Sequence, residues 1–242
     1  MTDYHCHLLP GIDDGPATIE ESIEMARLLA GAGYHTVYCT PHLIKGLFEA
    51  DNSTVRMAVS TLQEALNEER VPLQLLCGRE YYLDNHFMEF IGDLMPLENT
   101  RYLLIEFPPH TYPGMVQDSL SAIIRKELIP MIAHPERSEL FHEPAATDQP
   151  KKKSKLRTLL HWPHLNYPSA FDPENQENRL LNWLLANRCA FQQNLLSLHG
   201  TYGECAEQAA MHLQQMNIYT HTGTDAHSVK CLEKLFGRQN EV

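Results

Sequence analysis

Histidines at positions 5 and 7, within Asp3-Tyr4-His5-Cys6-His7, can hold one metal ion between them if the segment is extended. Side chains alternate faces along a strand, so residues two apart project from the same side. Imidazole serves zinc, iron and manganese alike, so the pair points to a metal without choosing among them. In a chain with 14 histidines such a pair is weak evidence by itself, and a solvated strand end is the alternative.

The other strand ends strengthen it. Short apolar runs alternate with helix-period segments, the pattern of βα units on a largely parallel sheet. Strands are predicted near 2–7, 35–40, 73–79, 102–107, 129–133, 189–194 and 218–223, and helices near 54–69, 84–93, 114–127, 174–187 and 203–216. An earlier helix begins at the capping-box pair Thr18 and Glu21, carries Ile19, Ile23, Ala26 and Ala30 on one face, and stops at Gly31-Ala32-Gly33. At the carboxyl ends of the strands stand His5 and His7, then His42, Glu80, Glu106, His134, and finally Asp225 with His227. In an α/β barrel those ends share one face, where residues distant in sequence converge. Asp14 lies in the glycine-bracketed loop Gly11-Ile12-Asp13-Asp14-Gly15, from which a carboxylate can reach back over the mouth while its neighbour caps a turn. These nine nitrogen and oxygen donors exceed the needs of one ion, so a polynuclear site is expected. A carboxylate such as Glu80 can bridge two ions about 4 Å apart, the spacing suited to phosphate-ester hydrolysis.

Composition narrows the alternatives. A chain of 242 residues with 43% hydrophobic content is long enough for one barrel-sized domain. A formal charge of -12 opposes a nucleic-acid or anionic-membrane partner. No apolar run approaches the length of a membrane span and no signal peptide is evident, so a cytoplasmic location is the expectation. The six cysteines show no Cys-x-x-Cys spacing and none has the downstream arginine of a thiolate phosphatase; free thiols are expected. Residues 143–173 break the rhythm with five prolines, the basic run 151–155 and the aromatic residues Trp162 and Tyr167, and read as a long excursion from the domain.

Taken in order, His5-Cys6-His7, Thr40-Pro41-His42, Gly78-Arg79-Glu80, His134-Pro135-Glu136-Arg137 and Asp225-Ala226-His227 resemble the motifs of the PHP (polymerase and histidinol phosphatase) superfamily. Within it, Leu9–Gly15, Leu104–Pro108 and Ile132–Arg137 resemble the bacterial manganese-dependent protein tyrosine phosphatases of capsule and exopolysaccharide synthesis. The similarity spans residues 1–142 and resumes near 175–228.

The resemblance implies a single α/β domain over residues 1–242, a distorted (β/α)7 TIM-like barrel, with two to three metal ions. Manganese is the metal implied, with iron, zinc or magnesium also compatible with such ligands. By motif, His5, His7, Glu80 and Asp225 serve one ion, Glu80 bridges to a second held by Glu106 and His134, and Asp14, His42 and His227 complete a third. Arg137 is the implied phosphate clamp, its planar fork matching two phosphoryl oxygens. A structural salt bridge to Glu136 or Glu139 is its alternative. His42 and His227 are the candidates for a general acid, and Lys230 or Arg238 for a second phosphate-binding cation.

The reaction implied is hydrolysis of phosphotyrosine on a protein, with the tyrosine-rich tail of a membrane-anchored bacterial kinase as the partner. A small-molecule phosphatase acting on histidinol phosphate, or a catalytically idle regulatory relative, is the competing reading. Phosphodiester cleavage is opposed by the acidic charge.

Overall fold

The computed structural model describes residues 1–109, 111–142, 171–172 and 177–237. The excursion at 143–173, with Trp162 and Tyr167, falls outside the described residues except for its last strand residues, and Arg238 falls outside them as well. In chain order the strands are β1 (Thr2–Cys6), β2 (Thr36–Cys39), β3 (His42–Leu43), β4 (Gln74–Cys77), β5 (Glu80–Tyr82), β6 (Tyr102–Glu106), β7 (Ile129–Ala133), β8 (Phe171–Asp172), β9 (Glu177–Asn178), β10 (Ala190–Asn194) and β11 (His221–Gly223). The helices are α1 (Ile19–Gly31), α2 (Asn52–Glu68), α3 (Pro113–Ile124), α4 (Arg179–Ala186), α5 (Glu204–Gln215) and α6 (Val229–Gly237).

The strands form two parallel sheets, ordered β1-β2-β4 and β11-β10-β7-β6-β5-β3, beside a small antiparallel pair β8-β9. This is the parallel α/β arrangement that the alternating pattern implies, consistent with a TIM-like fold, but it is not one closed ladder. The predicted strands 35–40 and 73–79 appear as β2 and β4, and each is followed across a short break, Thr40-Pro41 and Gly78-Arg79, by a further short strand that was not predicted, β3 and β5. β2 and β4 belong to the smaller sheet, with β2 between β1 and β4, whereas β3 and β5 belong to the larger one. Pro41 has no N–H to continue the first ladder. Gly78 has no room for a side chain, since a Cβ there would lie 2.5 Å from Leu97 and 3.1 Å from the Thr40 methyl. At the other side of β1, Asp225 N–H donates to His5 O at 2.7 Å and His7 N–H to Ala226 O at 3.1 Å, binding the chain after β11 to β1.

Amphipathic helices cover both sheets. Met25, Leu29, Val55, Val59, Leu62 and Leu66 of α1 and α2 pack with Val37 and Leu75 of the smaller sheet, and Leu232 of α6 joins them. Burying each such leucine contributes about 2 kcal/mol relative to exposure. On the larger sheet, Val116, Leu120 and Ile123 of α3 and Leu180 and Leu184 of α4 meet Leu103, Ile105, Ile132 and Phe191.

Local signals explain most boundaries. Thr18 Oγ1 accepts from Glu21 N–H at 3.3 Å, while the Glu21 carboxylate reaches Ala17 N–H rather than the cap residue itself. After α1, Gly33 takes φ +87°, the left-handed conformation that stops the helix. The helix predicted at 84–93 is only one 3₁₀ turn, Phe87–Glu89. Asp84 Oδ1 accepts from His86 N–H at 2.8 Å, a side-chain turn that competes with helix initiation, and Gly92 follows.

Candidate metal centre

All nine predicted donors and Arg137 meet at the carboxyl ends of the strands. His5 projects from the end of β1 and His7 just beyond it, and their Nε2 atoms lie 3.1 Å apart, as alternation along an extended segment requires. Glu80 opens β5 and Glu106 closes β6. His134 and Asp225 follow β7 and β11 with positive φ, +28° and +49°, conformations costly for residues with a Cβ and typical of functional strand ends.

The donors form overlapping groups. In the deepest, Glu80 Oε2 lies 3.1 Å from His5 Nε2 and 3.2 Å from His7 Nε2, and Asp225 Oδ1 lies 3.3 and 3.4 Å from the same nitrogens. Metal bonds of about 2.0–2.2 Å place neighbouring ligands of a tetrahedral or octahedral shell roughly 3.0–3.5 Å apart. These separations have the right size for the edges of such a shell. The fit is sharpened by two orphaned atoms: Glu80 Oε2 and His42 Nδ1 are buried, 3.1 Å apart, and have no hydrogen bond. A buried carboxylate oxygen without a donor is costly, and a cation between these groups would relieve it.

A second group joins His7 to Asp14, His42 and His227 nearer the surface, and a third joins His42, Glu80 and Glu106. His134 stands beside the third, its Nε2 3.0 Å from Glu80 Oε1 and 3.8 Å from Glu106 Oε1. The motif-based grouping of His134 with Glu80 and Glu106 therefore has His42 closer to both carboxylates than the sequence suggests.

Hydrogen bonds behind the donors fix which ring nitrogen faces the centre. His5 Nδ1–H donates to Gln192 Oε1 at 2.9 Å, His7 Nδ1–H to Asp13 Oδ2 at 2.6 Å, and His227 Nδ1–H to the Asp225 carbonyl at 2.9 Å. Each ring thus turns Nε2 inward, the arrangement that orients and strengthens a histidine ligand. Asp13, one of two adjacent aspartates, also accepts from His42 N–H and Gly15 N–H, both at 3.0 Å. Close packing completes the frame, for a Cβ at Gly15 would lie 2.6 Å from His7 O, and one at Gly223 would lie 2.6 Å from the His5 Cβ. Asp3 ties β1 to the last strand end, accepting from Thr224 N–H at 3.0 Å and Thr224 Oγ1–H at 2.7 Å. Of these supports the sequence marks only Asp13, as the turn-capping neighbour of Asp14; Gln192 and Asp3 carry no motif signal.

Charge is crowded here. Burial would raise the Glu80 carboxyl, but His5 and His42 hold it well below the usual carboxylate range. Burial and the adjacent Glu80 push Glu106 up to about 8. Against the opposing effect of burial, Glu80 and Asp225 raise His5 to about 9, whereas burial and Arg137 bring His134 down to about 4. Protons and a cation therefore compete for the same inward-facing atoms.

Arg137, on the turn after β7, donates from Nη1 to Asp225 Oδ2 at 2.6 Å and holds Nη2 3.8 Å from Glu106. Its ion pairs thus lie with these inward carboxylates. Glu136 is engaged elsewhere, accepting from Tyr219 Oη–H at 2.8 Å and Asn194 N–H at 3.0 Å. A cavity of about 300 Å³ opens over His42, Glu106, His134, Arg137 and His227, with Tyr202 and Cys231 on its wall. Lys230 lies exposed on α6. Among the described residues no helix is long and apolar enough to cross a membrane, and all six cysteines are free.

Comparison with known proteins gives this geometry a context. The family model for capsular polysaccharide synthesis proteins CpsB/CapC matches residues 1–149. The tyrosine-protein phosphatase YwqE of Bacillus subtilis is 30% identical over 252 residues, covering 99% of this chain and 86% of YwqE. The tyrosine-protein phosphatase CpsB of Streptococcus agalactiae is 30% identical over 139 residues, 57% of each chain. A crystal structure from work on YwqE of Bacillus subtilis and CpsB of Streptococcus pneumoniae, described as metal-dependent tyrosine phosphatases, superposes with a TM-score of 0.74 at 29% identity, over 98% of this chain and 88% of that one. A Listeria monocytogenes structure described as a candidate histidinol phosphatase shares the fold alone, with a TM-score of 0.50 at 10% identity.

Proposed function

The chain belongs to the capsular polysaccharide synthesis family CpsB/CapC, and on that premise we propose that it is a metal-dependent protein tyrosine phosphatase of a single PHP-type domain. The observation that carries the reading is the set of donors spaced 3.1–3.4 Å apart around buried Glu80 and Asp225, with Arg137 at its edge. His5, His7, Glu80 and Asp225 would hold the deepest ion. Glu80 would be shared with a second, held by Glu106 with His134 and His42 alongside, and Asp14, His42 and His227 would hold the outermost. When bound, such ions supply positive charge against the phosphoryl oxygens and make water a better nucleophile, the chemistry of phosphomonoester hydrolysis. Manganese is the proposed metal.

The chain's own residues supply the remainder. Arg137 offers N–H donors to the phosphoryl oxygens as charge builds on them. His42 and His227 are the candidates to deliver a proton to the leaving phenolate only when the outermost ion leaves them unligated; His227 would then act through Nε2, because its Nδ1–H is committed to the Asp225 carbonyl. Glu106, held up to about 8, carries a proton near neutrality until a cation displaces it. The substrate is proposed to be a phosphotyrosine segment of a bacterial tyrosine kinase, met in the cytoplasm, and the two sheets are proposed to act as the two arcs of a distorted seven-unit barrel.

The test is to strip the protein with chelator, reload it separately with manganese, iron and zinc, and follow a phosphotyrosine peptide beside histidinol phosphate. Metal-dependent turnover of the peptide is the expected result. Turnover of histidinol phosphate alone would move the protein to small-molecule metabolism, and silence on both substrates by folded, metal-loaded protein would overturn the reading.

A further inference from the structure

Beyond the donor groups, one aromatic residue touches the proposed phosphate clamp. Tyr202 lies in the turn before α5, outside the span of the family match, between Gly200 at φ +66° and Gly203 at φ +92°. Both glycines take conformations that disfavour other residues, and Gly203 N–H closes the turn on Gly200 O at 3.3 Å. The ring so presented lies under the Arg137 guanidinium, whose central carbon is 4.5 Å from the ring centroid. Its hydroxyl meets Asn194 Nδ2 at 3.3 Å, and the same Nδ2 donates to Asp225 Oδ2 at 2.8 Å. Arg137 Nη1 donates to that same oxygen at 2.6 Å.

The chemistry of these contacts is complementary. An aromatic face attracts a guanidinium through its π cloud and uses none of its N–H donors. Carboxylates hold it by its edge and do use them. With Asp225 and Glu106 both inward of Arg137, a clamp held by carboxylates alone would be drawn toward them and spend its fork there. The Arg137 side chain is 29% exposed, so it still borders the cavity. Tyr202 itself is 36% exposed, at the edge of the site rather than in the core.

We propose that Tyr202 is the positioning residue for Arg137, holding the guanidinium by its face so that free N–H donors point to the phosphoryl group. This rests on the phosphatase reading for its substrate, but not for its measurement, because inorganic phosphate is the probe. The experiment compares wild type, Tyr202→Phe and Tyr202→Leu, each loaded with manganese, in three respects: phosphate affinity by calorimetry, KM and kcat for p-nitrophenyl phosphate, and metal bound per chain.

Removing the aromatic face in Tyr202→Leu is expected to weaken phosphate binding and raise KM together by about 5- to 20-fold, with metal content unchanged and kcat changed less. Tyr202→Phe, which keeps the face and loses only the hydroxyl, is expected to stay within about twofold of wild type. Equal weakening in both variants would overturn the proposal by assigning the effect to the Asn194 contact. Loss of metal from Tyr202→Leu would overturn it in favour of a structural role, and so would unchanged phosphate affinity. Should Tyr202→Leu unfold, Tyr202→Gln carries the same comparison at this exposed position. If wild type binds phosphate but hydrolyses no aryl ester, the phosphatase reading fails while the phosphate affinities still decide the role of Tyr202.

Discussion

The deep and the outer donor groups share His7 and otherwise differ in nearly every physical respect. In the deep group His5, His7 and Glu80 are fully buried and Asp225 is 2% exposed, and the outward side of each imidazole and of Asp225 is held by another residue. In the outer group the Asp14 side chain is 54% exposed and His227 26%, and Asp14 approaches its neighbours only at 3.4 and 3.7 Å. The first arrangement is enclosed and hydrogen-bonded on its outward side; the second is open to solvent at Asp14 and His227. A preorganised, dry group binds a cation without spending order on the ligands, whereas an exposed carboxylate gives up hydration and freedom when it binds. The two positions should therefore fill in sequence and empty in the reverse order.

The sharpest way to break that comparison is Glu80→Ala, which removes the one carboxylate shared by the deep and middle groups. Activity toward an aryl phosphate should fall by about a thousandfold or more, with loss of most bound metal measured by elemental analysis. Retention of metal with activity lost would instead make Glu80 a chemical rather than a structural participant. Next in size is Asp13→Asn, which replaces the acceptor of the His7 Nδ1–H bond; the deep position should lose affinity by about 10- to 100-fold in a competition titration with a chelator. Unaltered affinity would show that the tautomer of His7 is set by something other than Asp13. Smaller still, Asp14→Ala should cost about tenfold in activity and release only the most weakly held ion, with the melting temperature unchanged.

A pH series separates the groups differently. In metal-free protein His5 is raised to about 9 from an ordinary 6.5, so its contribution to stability is complete below about 6.5 and is lost as pH rises through 9. Glu106, raised to about 8, changes stability in the same direction over its own range. Glu80 and Asp225, held low, have finished changing before this window opens. The metal-free melting temperature should fall from pH 6.5 to 9 on the order of a few °C. Metal affinity should rise over the same interval, because the protons that stabilise the empty cluster are those a cation must displace. A metal-free melting point that climbs across this interval would contradict the charge arrangement described for His5.

The contrast also explains what could be read from the chain beforehand. His5, His7, His42, Glu80, Glu106, His134, Asp225 and His227 announce themselves because ligand-type residues recur at strand ends, a regularity visible in one dimension. Their supports do not. Gln192 works because its carbonyl oxygen accepts from both His5 and His134, and nothing in a lone glutamine inside a strand signals that. Asp13 and Asp14 are neighbours of the same type, yet one turns inward to His7 and the other stays at the surface, a choice made by backbone geometry around Gly15. Tyr202 becomes relevant only because its turn meets the turn after β7. The sheets show the same division. Strand positions follow from apolar runs, whereas the breaks that set the short strands β3 and β5 apart from β2 and β4 depend on Pro41 and on the tight approach at Gly78. The absent helix at 84–93 was lost to the side-chain turn at Asp84, a local competitor of equal range to the helix signal.

The bond between Asp3 and Thr224 joins residues 221 positions apart, and the His5–Asp225 edge of the deep group lies directly beside it. During synthesis the ribosome therefore releases His5, His7 and Glu80 long before their fourth companion exists. Nascent chains would carry an unfinished cluster of buried-type charges, and closing so long a loop is among the slower steps a domain can require. A deep ion held by all four residues would therefore bind only after the last strand has been made.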